Sequence, residues 1–344
     1  MARVLLLQTV VPPYRRLLFE RLTSVIEGLI VITPPRVLSI GIGGAGVYWQ
    51  RGVLRQMVCA PIAILEFNPR IVSTWVALVM RSLMRKPTIL WGHARGRDRR
   101  RGWLSAITRK VQWRFGDCML CYSDEDAAYV CETVPAARAI VARNALYSRD
   151  LFVDQPIIPN AVDVICSTRL IDEKRPAVIV DAFLMTVDRL PTETLLHVVG
   201  GGPLEQQLKQ RASSSPWAGR VVFHGKQYDY RVLQDLYRRS ILAVSPGYVG
   251  LAIVQAQWFG VPFMYHPSDM DAPEVSFAAP SNSIALPAGD ALAWASGIRE
   301  FFAARDQWVA LRPQIAHHAK EYLSIENTCA GFVEAVASLG PTSR

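Results

Sequence analysis

ILAVSPGYVGLAIVQAQWFGVPFMYH (241–266) decides the fold class. ILAVS is a short apolar run of strand type. Pro246, Gly247 and Gly250 then make a turn, and LAIVQAQWF is apolar on every side, as a helix packed between other elements must be. Gly260 and Pro262 end that helix, and PFMYH is a second apolar strand. Strand, turn, buried helix and strand in so short a span form a unit whose two strands run parallel. Residues 245–263 carry no charged side chain, in a chain that is 19% charged. Any polar chemistry in this stretch has to come from its backbone.

The same alternation extends in both directions. Strands are predicted at 4–9, 29–33, 62–67, 88–93, 118–123 and 139–143, with helical patterns at 14–26, 70–85, 103–115 and 124–132. After the loop SRDLFVDQPIIPN (148–160), strands are predicted at 162–167, 195–200, 221–225, 241–245, 262–266 and 283–287, with helices between them and at 289–303. At 344 residues the chain is long for one domain. We therefore expect an α/β fold of two Rossmann-like, doubly wound parallel-sheet domains facing a cleft, one over 1–150 and one over 155–317. The C-terminal segment 318–340, helical in pattern at 325–338, is expected to pack back on the first. In such folds ligands bind beyond the carboxyl ends of the strands.

A formal net charge of +9 and a pI of about 9.4 favour anionic partners. The charge is concentrated in RGRDRRRGWLSAITRKVQWR (95–114), where Trp103, Leu104, Ile107, Val111 and Phe115 recur at helical spacing among the cations. Arg97, Arg99, Arg100, Arg101 and Trp103 are the residues expected to meet an anionic lipid surface. No base-reading module accompanies the charge, so nucleic acid is not expected as a partner.

Six cysteines are scattered, and the Cys118–Cys121 pair has no second pair or histidine cluster to make a zinc set. CMLCYS reads as a buried strand, which implies reduced thiols and a cytoplasmic location. MARVLLLQT is too short for a signal peptide. The apolar run at 71–84 is broken by Arg81, so it is not expected to span a membrane.

Gly41, Gly43, Gly44 and Gly46 spell the dinucleotide pattern GxGxxG, with Glu66 twenty residues beyond. The context argues against that use. The pattern follows a second strand rather than the first, and VYWQRGVLRQ behind it opens with β-branched and aromatic residues. A glycine-rich loop at the edge of the cleft is the better reading.

Four features of the second half point one way. In CSTRLIDEKRP (166–176), Arg169 and Lys174 stand just past a strand, where two cations can clamp a diphosphate. HVVGGGPLEQQLKQ (197–210) puts Gly201 in a strand-to-helix turn. In the opening stretch, Gly247, Tyr248 and Gly250 precede a helix start at Leu251 and Ala252, whose unpaired amides can hold an anion. In DAPEVSFAAPSNSIALPAGD (271–290), Glu274 is the carboxylate placed to reach the same cleft.

In this order the four features resemble the family-4 glycosyltransferases of the two-Rossmann-domain GT-B fold. TRLIDEK is similar to the family's Gly-Arg-Leu-x-x-x-Lys motif, VVGGGP to Val-Gly-x-Gly-Pro, and ARNAL (142–146) to its Asn-Ala motif. PGYVGLAIVQAQWFGVPF is similar to Pro-Ser-x-x-Glu-Gly-x-Gly-x-x-x-x-Glu-Ala followed by Gly-x-Pro. The resemblance covers residues 139–335 well and the first half loosely.

The resemblance implies transfer of a hexosyl-type sugar from a nucleoside-diphosphate sugar to a saccharide or polyprenyl-diphosphate-linked acceptor, in surface polysaccharide or glycan assembly. Retention of configuration and independence of metal and cofactor are implied with it. Such an enzyme would work as a peripheral protein on the inner face of the cell membrane. The first domain would take the acceptor and the second the donor. Arg169 and Lys174 would hold the donor diphosphate, the amides from Gly250 to Ala252 the distal phosphate and sugar, and His93 would face the transferred sugar; Glu274, from its own placement, is the second residue expected to be catalytic.

The departures are specific. The family's two motif glutamates fall on Gly247 and Gln255, and its glycines beside the Arg–Lys pair fall on Thr168 and Arg175. Gln255 can still hydrogen-bond a ribose hydroxyl. The alternative reading is a descendant of the same fold that binds a nucleotide sugar or glycan without transferring it.

Overall fold

The computed structural model describes residues 4–42, 45–95, 102–152, 161–267, 272–286 and 289–339. The chain divides into two compact units, residues 1–149 with 324–344, and residues 150–323.

The first unit is built on β1 (Val4–Leu7), β2 (Leu29–Ile32), a hairpin of β3 (Arg36–Ile42) and β4 (Ala45–Arg51), then β5 (Ile62–Glu66), β6 (Thr88–Trp91), β7 (Cys118–Cys121) and β8 (Arg138–Val141). Its helices are α1 (Arg16–Val25), α2 (Leu54–Cys59), α3 (Val72–Leu83), α4 (Gly102–Trp113) and α5 (Asp124–Thr133). Six strands form one parallel sheet in the order β2-β1-β5-β6-β7-β8. Side chains alternate across each strand. Leu65, Leu90 and Met119 therefore enter one apolar layer with α2 to α5, while Ile64, Ile89 and Leu120 enter another with α1. Ser123 caps α5 by accepting from the Asp126 amide, and three acidic residues occupy its first turn, where the helix dipole favours them.

The hairpin explains the glycine pattern. Gly41 pairs with Gly46 and Ile42 with Ala45 in an antiparallel ladder, so GxGxxG opens no helix. Gly43 and Gly44 lie outside the described residues. Glu66, far from a ribose-binding role, accepts from the Thr9 amide and hydroxyl at 3.1 and 2.6 Å.

The second unit carries β9 (Asp163–Ser167), α6 (Pro176–Leu184), β10 (Leu196–Val199), α7 (Glu205–Ser213), β11 (Val221–Gly225), α8 (Tyr230–Arg239), β12 (Ser240–Ser245), α9 (Ala252–Trp258), β13 (Phe263–Tyr265), β14 (Ser283–Ala285), α10 (Ala291–Ala303) and α11 (Arg305–Tyr322). Its six strands are all parallel, in the order β11-β10-β9-β12-β13-β14. Val164, Cys166, Phe183, Trp294 and Phe301 belong to the apolar layer under α6, α7 and α10. Each fully buried side chain of this size contributes about 1.5–3 kcal/mol.

The C-terminal segment departs from the reading over 318–340. It is two elements, α11 and α12 (Ile325–Ala337). α11 belongs to the second unit and runs on to Tyr322, past the expected limit at 317. Pro313 lies inside α11, and an interior proline ordinarily ends a helix. Burial of Arg312, Ile315 and Ala319 holds this one together. Only α12 joins the first unit. Ile325, Cys329, Phe332 and Ala335 enter the α1 layer, and Phe332 meets the Trp91 ring edge-on at 4.8 Å. A Cβ on Gly331 would collide with the Val141 carbonyl, so glycine is what lets α12 lie this close to β8.

Cys118 and Cys121 are buried in β7 as free thiols, and burial pushes the Cys118 thiol up to about 12. No described helix is long and apolar enough to cross a membrane.

Candidate functional site

In the second unit the strand order reverses between β9 and β12, which are neighbours in the sheet although β10, β11 and their helices separate them in sequence. Loops leaving two such strands diverge to opposite sides and open a crevice at their carboxyl ends. The loop after β9 is 168–175 and the loop after β12 is 246–251, so this crevice lies between the predicted Arg169–Lys174 pair and the glycine turn at 247–250.

Close backbone packing fixes the two loops against each other. The Tyr248 amide donates to the Glu173 carbonyl at 2.9 Å. A Cβ on Gly247 would collide with that carbonyl and with the Lys174 backbone. Lys174, at 8% exposure, reaches under the turn and donates to the Tyr248 and Val249 carbonyls at 2.5 and 3.5 Å. Its ammonium also lies 4.6 Å from the centre of the Tyr248 ring. Gly250 has φ of +57°, in the left-handed region that glycine enters most readily, and a Cβ there would sit 3.4 Å from the Lys174 Nζ. Leu251 and Ala252 follow, half-buried, at the start of α9.

The turn after β10 completes the floor. The Leu170 amide donates to the Gly201 carbonyl at 3.2 Å, and a Cβ on Gly200 or Gly202 would collide with the backbone of Thr168 or Leu170. Arg169 is exposed on this loop. Arg175, where the resemblance leads one to expect glycine, holds φ of +48°. The backbone thus keeps a glycine-type conformation that arginine fills at a cost of about 1–2 kcal/mol.

Gln255, on α9, accepts through its side-chain oxygen from the Ser167 hydroxyl at 2.7 Å and the Tyr237 hydroxyl at 3.1 Å. Neither hydroxyl stood out in the sequence, because each is set beside Gln255 only by the sheet. On the same sheet face a polar chain runs from Asp163 through His197 to His224, at 3.0 Å for each step, with Arg239 3.3 Å from the Asp163 carboxylate. Burial, and then His197, lower the His224 pKa.

Glu274 lies in the 3-10 turn Pro273–Phe277 after β13 and is 2% exposed. Gln257 of α9 donates to the Phe277 carbonyl, tying that turn to α9. The carboxylate expected to face a cleft is thus a buried one. His93 is half-buried, two residues beyond β6 in the first unit. Its carbonyl accepts from Arg109 at 3.0 Å and its ring lies 5.0 Å from that of Tyr122. Arg15 crosses the same strand edge, donating to Gln8 and Tyr122 over the Trp91 ring, a grouping that charge counting had left unnoticed. Arg97, Arg99, Arg100 and Arg101 lie outside the described residues, as does the side chain of Trp103. Among the described residues no group of three or more His, Cys, Asp or Glu is arranged to hold a metal ion.

Residues 161–304 match the family described as Glycosyl transferases group 1. No curated protein matches the sequence. Among solved structures, the HepE protein of Anabaena in complex with UDP and glucose is 14% identical, with a TM-score of 0.69, over 98% of this chain and 100% of that one. A sucrose-phosphate synthase from Thermosynechococcus elongatus is 15% identical at 0.72 over the whole of both chains. A glycosyltransferase from Rickettsia africae is 12% identical at 0.73, covering 99% of each. The fold is that of the GT-B glycosyltransferases, and the family match lies within the second unit.

Proposed function

We propose that this chain is an enzyme that transfers a hexosyl group from a nucleoside-diphosphate sugar, without a metal and with retention, to a saccharide or polyprenyl-diphosphate-linked acceptor. The acceptor would be met on the inner face of the cell membrane, during assembly of a polysaccharide or glycan. The observation that carries the reading is the placement of Arg169 and Lys174 on the loop after β9, against the glycine turn after β12, inside the segment that matches the family.

A departing nucleoside diphosphate gains negative charge in the transition state. Fixed cations and amide donors stabilise that charge where it develops, because they need no reorganisation when it appears. Arg169 supplies a planar fork suited to phosphate oxygens. Lys174 is already anchored by the turn it would serve, so binding costs it little side-chain entropy. The amides from Gly250 to Ala252 would hold the distal phosphate and sugar, and Gly201 would let the nucleotide approach the backbone. His93 and Glu274 are the residues we assign to the reacting sugar, His93 at a strand end of the first unit. UDP and UDP-glucose are the first ligands to test, since solved complexes of Anabaena HepE contain them.

The test is the double variant Arg169→Ala with Lys174→Ala. UDP or another nucleoside diphosphate should raise the melting temperature of the parent and leave that of the variant unmoved, and the matching nucleoside-diphosphate sugar should support transfer by the parent alone. Parent-level activity in the variant would remove this site from the mechanism. One observation favours the non-catalytic alternative: the collision that a side chain at 247 would make leaves no room for the family's first glutamate. Donor hydrolysis or transfer by the parent in a broad acceptor screen would dispose of that alternative.

A further inference from the structure

The C-terminal half of α3 is built inside out. Its one charged residue, Arg81, is fully buried, while Val79, Met80 and Leu83 face solvent and only Leu78 of its apolar residues packs inside. The Arg81 guanidinium donates to the carbonyls of Met57 and Ala60, each at 2.8 Å, and to those of Pro61 and Pro87, while its Nε donates to the Thr88 hydroxyl at 2.8 Å. Burial lowers its pKa to about 10. On the outside, Leu83 is 82% exposed, Met84 50%, and Val79 and Met80 42% each. An apolar stripe of this kind on a helix of an otherwise well-packed unit marks an interaction site rather than a scatter of surface residues.

α4 continues the stripe. α3 joins β5 to β6 and α4 joins β6 to β7, and both cover the same sheet face, where Leu78 and Trp113 share one apolar layer. Trp75 of α3 meets Phe115, just past α4, edge-on at 6.4 Å. Both helices therefore turn their outer sides the same way. On α4 the outer residues are Ile107, Lys110 and Val111, with Arg114 just past its end, all exposed. Arg85 follows α3, and Arg55 is exposed on α2 beside it.

Exposed Leu, Met, Ile and Val with Lys and Arg among them, and no exposed acid on either helix, is the pattern that suits a lipid surface of negative charge. We infer that α3 and α4 together are the face on which this protein lies on an anionic bilayer, with Val79, Met80, Leu83 and Met84 entering the acyl boundary and Lys110, Arg114 and Arg85 meeting the headgroups. This rests on the reading that the acceptor is met at a membrane, and adds α3 to the apolar contact expected of the helical pattern within 95–114.

The experiment is flotation of the full chain with vesicles of phosphatidylcholine alone, or of phosphatidylcholine with phosphatidylglycerol. The parent is expected to bind the mixed vesicles and to bind phosphatidylcholine far less. The variant Met80→Glu with Leu83→Glu, changed only at exposed positions, should melt like the parent and bind the mixed vesicles about a hundredfold more weakly, from two apolar side chains that no longer leave water. Lys110→Glu with Arg114→Glu should weaken binding as well. If the parent binds and the α3 variant binds equally, the face is wrongly assigned while the membrane reading stands. A parent that binds neither vesicle removes both. A parent that sediments as a dimer, and becomes monomeric in the α3 variant, shows that a second copy covers the stripe and overturns the inference.

Discussion

The Lys174 ammonium donates to the carbonyl oxygen of Tyr248 at 2.5 Å and lies 4.6 Å from the centre of that residue's own ring. One cation from the loop after β9 thereby fixes both the backbone and the side chain of the loop after β12. The same group that would meet a diphosphate also holds the crevice in shape.

Lys174→Ala should therefore lose on two measurements. The carbonyls it serves would be left without that donor in a buried turn, so chemical denaturation should show a loss of about 1–3 kcal/mol. Transfer should fall by about 10²–10³-fold, the effect of removing one fixed donor from a developing charge. Lys174→Arg should not restore either, because a forked guanidinium has no space where Gly250 leaves a point charge its room.

Restoring the absent glutamates should give opposite results at the two positions. Gly247→Glu should destabilise by about 1–3 kcal/mol or fail to fold, since any side chain there meets the Glu173 carbonyl. Gln255→Glu should fold and melt close to the parent, because Ser167 and Tyr237 both present hydroxyls that can donate to a carboxylate. Thermal melts of the two variants side by side decide the matter.

Glu326 joins α12 to the end of the first unit's chain, accepting from the Ser148 hydroxyl at 2.6 Å and the Arg149 amide at 3.0 Å. Burial opposes its ionisation, but these hydrogen bonds, one from its own backbone and the charge of Arg21 outweigh it and hold the carboxyl below its ordinary 4.5. A depressed carboxylate contributes stability that is present above the unfolded value and lost as pH falls through the folded one. Glu326→Gln should cost about 1–2 kcal/mol at pH 7 in urea titrations, with the difference from the parent shrinking below about pH 4.5.

His224 acts in the same direction in a higher pH window. Its pKa is held below 6.5 by burial and by His197, so the unfolded chain binds a proton there before the folded one does. Stability then falls as pH drops from about 6.5 toward the folded value. His224→Gln should flatten the slope of melting temperature against pH in that range, and an unchanged slope would show that the His224 site does not drive it.

Much of the fold was legible because the signal for a buried parallel strand is local. Each of the twelve predicted strand runs is a strand of one of the two six-stranded sheets, since a continuous apolar run between turn residues has few other ways to bury itself. The hairpin of β3 and β4 was missed because its closely spaced glycines read as a loop, and α11 because Pro313 stood where a helix should break.

By itself, the sequence determined the class of fold, the loops that carry Arg169, Lys174 and the glycine turn, and the basic character of the chain, because all of these follow from residue type and short spacing. Only the tertiary structure decided that the loops after β9 and β12 become neighbours, that position 247 has no room for a side chain, that Ser167 and Tyr237 hold Gln255, and that Arg81 is inside α3 while Leu83 is outside. The periodicity of a segment shows which residues share a face. What covers that face depends on partners distant in the chain, and their identity is fixed only when the sheet order is.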